Sequence, residues 1–172
     1  MANLESEFTG YSVRKLEQFT SRIIDCLGRL NEEQVWSRGS DQENAVGNLA
    51  LHLCGNVRQW IVAGVGGKPD TRQRDREFAA REMVPVAELQ ERLKSAVAVA
   101  CGVIRGLSAP RLAETVTIQG YEVSVLEAVY HAVEHFAQHT GQIIFATKQL
   151  THQDLGYYGH LAGKGRRGES TP

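Results

Sequence analysis

Four long stretches of the chain repeat apolar residues at intervals of three and four positions, the spacing that gathers them on one face of an α-helix. These stretches cover residues 11–30, 41–65, 85–106 and 124–149. Segments rich in Gly, Pro or charged residues separate them and favour breaks in the helices. Four amphipathic helices bury their apolar faces most simply against one another. The sequence therefore predicts an all-α fold, a four-helix bundle.

Short polar patterns predict where these helices begin. Ser40 with Glu43, and Ser124 with Glu127, have the spacing of a capping box, which pairs the first free N–H groups of a helix with side-chain oxygens. Pro85 suits the first position of a helix because its missing N–H is not needed there. We expect the second, third and fourth long helices to begin at Ser40, Pro85 and Ser124.

Two smaller elements are expected between the long helices. Asn31 and Gln34 also have capping-box spacing and predict a short helix that closes one end of the bundle. Residues 115–118 are rich in β-branched side chains, and Gln119-Gly120 resembles a tight turn. This pattern predicts a short β-hairpin immediately before the last helix.

Two segments are too polar to belong to the core. Residues 68–81 alternate positive and negative charges and predict a surface loop that contains at most a turn of helix. The length of 172 residues fits one domain, and we assign residues 1–155 to the bundle and residues 156–172 to a Gly-rich tail. The tail residues that could dock onto the bundle are Tyr157, Tyr158 and Leu161.

Composition limits the partners of the chain. The 19 basic and 20 acidic residues leave no basic excess, so we expect no nucleic-acid partner. No apolar run approaches the roughly 18 residues of a membrane span, and the first residues do not resemble a signal peptide. We therefore expect no membrane association and a cytoplasmic location. The three cysteines have no CxxC spacing and are expected to be buried free thiols.

Histidines are concentrated on the fourth helix. His131, His135 and His139 follow one another at steps of four residues. Because such a step rotates by about 40° and rises by about 6 Å, neighbouring imidazoles on this row can converge on one metal ion. Either overlapping pair, His131 with His135 or His135 with His139, would serve.

Two helical ligands leave a divalent ion under-coordinated, so a third should come from a facing helix. His52 is the best candidate because it lies in a largely apolar part of the second helix, where an unpaired imidazole would be costly. Asn48 and Asn56 flank it by one turn on each side and could orient it. The alternative is that each histidine is a hydrogen-bonded structural residue, but three together on inner faces are harder to explain in that way.

The segments Gly47 to Asn56 and His135 to Ile143 resemble the DinB-like superfamily of four-helix bundles, including its HxxxHxGQI signature. The resemblance covers roughly residues 8 to 150. It implies a divalent metal, most simply zinc or nickel, held by His52, His135 and His139. His131 then lies one turn outside the triad, at the pocket wall.

The resemblance also implies homodimers and, for some relatives, thiol-dependent transferase or isomerase activity. Three neutral ligands would leave an open coordination position. We therefore expect a metal-dependent enzyme, S-transferase-like or hydrolytic, that acts on a small-molecule substrate with a low-molecular-weight thiol as a possible co-substrate. Asn56, Gln142, Tyr121 and His131 are candidates for positioning that substrate. The alternative is a metal- or ligand-binding bundle without turnover, such as a stress-related sensor or an interaction module.

Overall fold

The computed structural model describes residues 3–81 and 84–159. Four long helices form the predicted bundle: α1 (Leu4–Arg29), α3 (Val46–Val57), α5 (Val86–Arg105) and α7 (Val125–Thr151). Helix α3 continues directly into a π-helical segment, Arg58–Val65. The shorter elements are α2 (Glu32–Trp36), α4 (Arg74–Ala79), α6 (Ala109–Ala113), β1 (Thr115–Ile118) and β2 (Tyr121–Ser124).

The core lies between the four long helices, and each helix contributes fully buried side chains to it. Helix α1 packs against α5 and α7, and α3 packs against the same two helices. Representative core residues are Leu16, Ile23, Leu53, Leu93 and Phe136. Burying each such side chain stabilises the fold by about 1.5–3 kcal/mol. The contact between α3 and α7 brings the two histidine-bearing helices together.

Most predicted helix starts are confirmed. Ser124 caps α7 in a capping box with Glu127, and Asn31 caps α2 in the same way with Gln34. Pro85 immediately precedes α5. The first helix begins at Leu4, earlier than predicted. The prediction missed its first turns because they carry no buried apolar stripe; Leu4 itself is 83% exposed.

The start predicted for the second long helix was wrong. Helix α3 begins at Val46, where the Asn48 side chain accepts a hydrogen bond from the N–H of Ala45. Ser40 and Glu43 do contact each other, but they close a turn ahead of the helix. Local hydrogen bonds of this kind suit a turn as well as a helix start, so the spacing alone could not separate the two.

The hairpin is confirmed. Strands β1 and β2 pair antiparallel with Thr115 opposite Ser124, and the turn residues Gln119 and Gly120 both have positive φ angles, of 55° and 81°. Two successive positive φ angles are the geometry of a type I′ turn, which matches the twist of the strands. The hairpin packs through Ile118 against Gly64, where an added Cβ would lie 2.4 Å from the Ile118 Cδ1 atom.

The segment after α7 docks in part onto α1. The Tyr157 hydroxyl lies 2.7 Å from the Asp25 carboxylate and 3.1 Å from the Arg22 carbonyl oxygen, and the Arg22 guanidinium carbon lies 5.4 Å from the centroid of the Tyr158 ring. Leu161, the third residue considered for docking, lies outside the described residues.

The prediction of free, buried thiols is confirmed for the three cysteines, Cys26, Cys54 and Cys101. In the described part of the chain, no helix is both long and apolar enough to cross a bilayer.

Candidate metal centre

Three histidines from two helices meet on one side of the bundle. His52 lies on α3, and His135 and His139 lie one turn apart on α7. One ring nitrogen from each lies within 4.8 Å of the other two, and the Nε2 atoms of His52 and His135 are 2.8 Å apart. Nitrogens that share a zinc ion at about 2.0–2.1 Å lie about 3.3 Å from each other in tetrahedral geometry. Small side-chain adjustments would therefore bring all three to one ion.

For two of these histidines the other ring nitrogen lies beside an oxygen acceptor, and for His52 this nitrogen also lies 3.1 Å from Arg72 Nη2. His52 Nδ1 lies 3.0 Å from Glu77 Oε2, and His139 Nδ1 lies 2.6 Å from Gln142 Oε1. An Nδ1–H that donates to an oxygen leaves Nε2 with a free lone pair. Partners of this kind fix the tautomer and the ring orientation of metal-ligating histidines.

The Glu77 carboxylate is itself held by Arg72. The Arg72 guanidinium donates to both carboxylate oxygens at 2.8 Å, and the side chains of Arg72 and Glu77 are only 3% and 11% exposed. Burial raises the pKa of Glu77, but the hydrogen bonds from Arg72 and His52 outweigh it and hold this pKa below its ordinary value. Glu77 is therefore a carboxylate at neutral pH and can accept the His52 proton.

The short helix α4 agrees with the predicted surface segment 68–81, which allowed a turn of helix. The expectation that its charged side chains face solvent was wrong for Arg72 and Glu77, which fold inward against α3. Gly55, one turn from His52, makes room for this contact, because a Cβ at Gly55 would lie 1.8 Å from Glu77 Oε1. A glycine on that face of α3 leaves the space that the carboxylate occupies.

The remaining predicted residues are distributed around the cluster. Asn48 links α3 to the end of α4: its amide nitrogen donates hydrogen bonds to the carbonyl oxygens of Glu77 (2.9 Å) and Ala80 (3.0 Å). Asn56 is buried, and its Oδ1 atom has no hydrogen-bond partner in the described part of the chain. Gln142 contacts His139, as described above.

His131 lies one turn before His135, with ring centroids 5.5 Å apart, and it packs against the Trp60 ring at 4.0 Å. His131 and Trp60 line a cavity of about 570 Å³, to which Tyr121 and Tyr130 also contribute. Tyr121 is exposed and lies on β2. The cavity is thus an aromatic pocket one helical turn away from the three-histidine cluster.

The environment keeps the imidazoles of α7 uncharged. Burial and the neighbouring His139, His52 and His131 rings lower the pKa of His135 to about 3. Burial also lowers the pKa values of His139 and His131. Neutral imidazole is the form that binds a metal ion. The two candidate ligands on α7 therefore need not lose a charge-carrying proton before they bind a metal ion at neutral pH.

The comparisons agree with this architecture. A family model described as "Protein of unknown function (DUF1572)" matches residues 3–159. The chain belongs to this family. A solved structure, "Crystal structure of the conserved protein of locus from Enterococcus faecalis", is similar with a TM-score of 0.72 and 14% sequence identity, covering 84% of this chain and 98% of that one. That likeness shows a shared fold. No curated protein matches the chain.

Proposed function

We propose that this member of the DUF1572 family is a DinB-like metal-dependent enzyme that holds a divalent ion through His52, His135 and His139 and acts on a small molecule. The observation that carries the proposal is the convergence of three imidazoles, two of which have Nδ1 bound by an oxygen acceptor. Such a pre-oriented set of neutral nitrogen ligands suits zinc or nickel.

A cation would satisfy the three ring nitrogens more fully than hydrogen bonds among them do. If His52 donates its Nδ1–H to Glu77, the 2.8 Å contact between the Nε2 atoms of His52 and His135 needs a proton on His135. His139 then presents its own Nε2 lone pair to the same region. In this tautomer the Nε2 atom of His139 has no N–H to accept from among the three rings, whereas a cation would pair with all three Nε2 lone pairs once the His135 proton moves to its Nδ1.

The histidines also fit a site that retains an open position. His135 and His139 are only half-buried, so solvent or a small molecule can approach the ligand atoms. A bound divalent ion would lower the pKa of a coordinated thiol or water and so supply a nucleophile at neutral pH. Three protein ligands with a vacant position are typical of catalytic sites, whereas structural zinc sites have four.

The resemblance to DinB-like bundles points to an external thiol as the nucleophile, and the surrounding residues are compatible with one. Activation of water is helped by a free general base, but Glu77 is engaged by both Arg72 and His52. The thiol of Cys54, on the same helix as His52, is unsuitable, because burial raises its pKa to about 12. We therefore propose a low-molecular-weight thiol as the nucleophile, and water activated by Glu134, which lines the aromatic pocket, is the hydrolytic alternative. The electrophile would occupy the aromatic pocket, where His131 and Tyr121 position it.

Metal analysis tests the site directly. Untagged protein should contain about one divalent ion per chain, and His52→Ala and His139→Ala should each lose it. The control is His152→Asn, because His152 caps the end of α7 with a positive φ angle of 54° that Asn tolerates. Equal metal content in all four proteins, or metal-free wild type that does not take up added zinc or nickel, would refute the site.

Turnover tests the enzyme assignment. We expect electrophilic substrates to be consumed only when a low-molecular-weight thiol and the metal are both present, and chelation to stop the reaction. A metal-loaded protein without turnover across such a panel would favour the alternative, a metal-binding bundle without catalysis. Activity that is indifferent to chelators would refute the proposal.

A further inference from the structure

A second, larger cavity lies on the outer side of the Arg72–Glu77 pair. It has a volume of about 710 Å³ and lies between α3, α4 and α5. None of the three clustered histidines is among its lining residues. Because the Arg72–Glu77 pair also contacts His52, this pair forms a wall between the cavity and the histidine cluster.

Among the residues that the structure describes, the charged lining of the cavity is mostly cationic. Its one lining carboxylate among the described residues is Glu77, and its lining arginines are Arg58, Arg72, Arg76, Arg81 and Arg92. Glu77 neutralises Arg72, and Glu88 pairs with Arg92. Arg81 donates to backbone carbonyl oxygens, which leave its charge uncompensated.

Arg58 and Arg76 are the two lining arginines whose side chains make no hydrogen bond or ion pair with the described residues. Arg58 extends from the first position of the π-helical segment, and Arg76 extends from α4. They therefore come from different elements but line the same cavity. Two guanidinium groups with free donors attract an oxyanion, which each can bind through paired N–H groups.

The rest of the cavity surface is largely apolar. Leu51, Val84 and Ala80 contribute to it, and so does the uncharged Cys54 thiol. Inorganic phosphate or sulfate would leave this surface uncovered. An anion that carries an apolar group would contact both parts of the cavity.

We propose that this cavity binds a small organic anion whose carboxylate or phosphate group pairs with Arg58 and Arg76 and whose apolar group contacts Leu51 and Val84. The site is separate from the histidine cluster, and its occupancy does not depend on the metal.

Calorimetric titration with four probes tests the proposal: hexanoate, hexyl phosphate, hexanol and inorganic phosphate. We expect the two amphiphilic anions to bind more tightly than hexanol or inorganic phosphate. Binding of only one of them would support the cavity and identify its headgroup. Equal binding of hexanol, or of inorganic phosphate, would overturn the proposal because one half of the cavity would then contribute nothing.

Variants assign the binding to this cavity. Arg58→Gln and Arg76→Gln should each weaken hexanoate or hexyl phosphate binding by about fivefold or more. Arg14→Gln removes the same charge from an exposed position on α1 and should have no effect. Circular dichroism confirms that each variant is folded. Equal binding by wild type and the Arg58→Gln/Arg76→Gln double variant would overturn the proposal.

A further variant separates this proposal from the proposed metal site. His139→Ala should lose metal and keep wild-type binding of the anion. Loss of anion binding in His139→Ala would overturn the cavity assignment, because it would place the ligand at the histidine cluster. Retention of anion binding in a protein that never binds metal would support the cavity while refuting the metal site.

Discussion

Replacement of Glu77 by Gln tests whether the buried carboxylate orients the metal ligand His52. The substitution keeps the size of the side chain and removes its charge. It leaves the Arg72 guanidinium, which is only 3% exposed, without its counter-charge. The amide oxygen of Gln can still accept a hydrogen bond from His52 Nδ1–H, but it attracts that proton less strongly than a carboxylate does. Loss of one partner of a buried ion pair costs about 3–5 kcal/mol of unfolding free energy. Loss of a partner that orients a ligating histidine weakens metal binding by about 10–100-fold.

Both quantities can be measured on the same protein. Urea denaturation gives the change in unfolding free energy, and competition with a chromophoric chelator gives the zinc affinity of the folded protein. The control is Glu88→Gln, because the Glu88–Arg92 pair is 48% exposed on each side and should contribute less than about 1 kcal/mol. Zinc affinity should be unchanged in that control.

The double variant Arg72→Gln/Glu77→Gln separates orientation from stability. It removes both buried charges, so much of the lost stability should return, whereas zinc affinity should stay low because His52 still lacks its carboxylate. If Glu77→Gln destabilises the fold but binds zinc within twofold of wild type, the carboxylate does not orient a ligand and this reasoning is refuted.

Three further substitutions give separate expectations. Gly55→Ala places a Cβ 1.8 Å from a Glu77 oxygen and should weaken zinc binding in chelator competition, whereas Gly102→Ala, with open space around its Cβ, should leave it unchanged; equal affinities would contradict the close contact. Phe136→Ala removes a fully buried ring and should cost about 3–5 kcal/mol in urea denaturation; a cost below about 1 kcal/mol would contradict its place in the core. Tyr157→Phe removes the hydroxyl that contacts α1 and should cost about 1 kcal/mol of unfolding free energy. Tyr158→Phe is the control, because Tyr158 is exposed, and should cost nothing; equal losses in the two variants would mean that the Tyr157 hydroxyl contributes nothing.

The bundle could be predicted from the sequence because the apolar period of a helix is a local property. The Ser124 capping box and the hairpin turn at Gly120 are equally local, and both were predicted correctly. The proximity of His52 to His135 was also predicted, since two packed helices leave few places for a histidine on an inner face, whereas the choice of His139 over His131 came from the DinB-like resemblance. The ligand set itself stays a prediction until metal is measured.

The contacts of Arg72 and Glu77 could not be read from the sequence. Both lie in a run of alternating charges that is typical of a solvent-exposed segment, and their partner His52 is 20 or more residues away. A contact between residues so far apart in the chain produces no repeating pattern in the sequence from which it could be predicted. The start of α3 was missed for a related reason. The helix begins where the Asn48 side chain accepts the N–H of Ala45, and the same side chain is held by a contact with distant Glu77.

The amide of Asn48 has a consequence for how the chain fluctuates. Its oxygen accepts the N–H of Ala45 at the start of α3, and its nitrogen donates to carbonyl oxygens on both sides of Phe78. Lifting α4 away would break the hydrogen bonds that the Asn48 nitrogen donates and would expose the first turn of the helix that carries His52. We therefore expect the backbone amides of both segments to exchange hydrogen with solvent at matched rates, as a single cooperative unit.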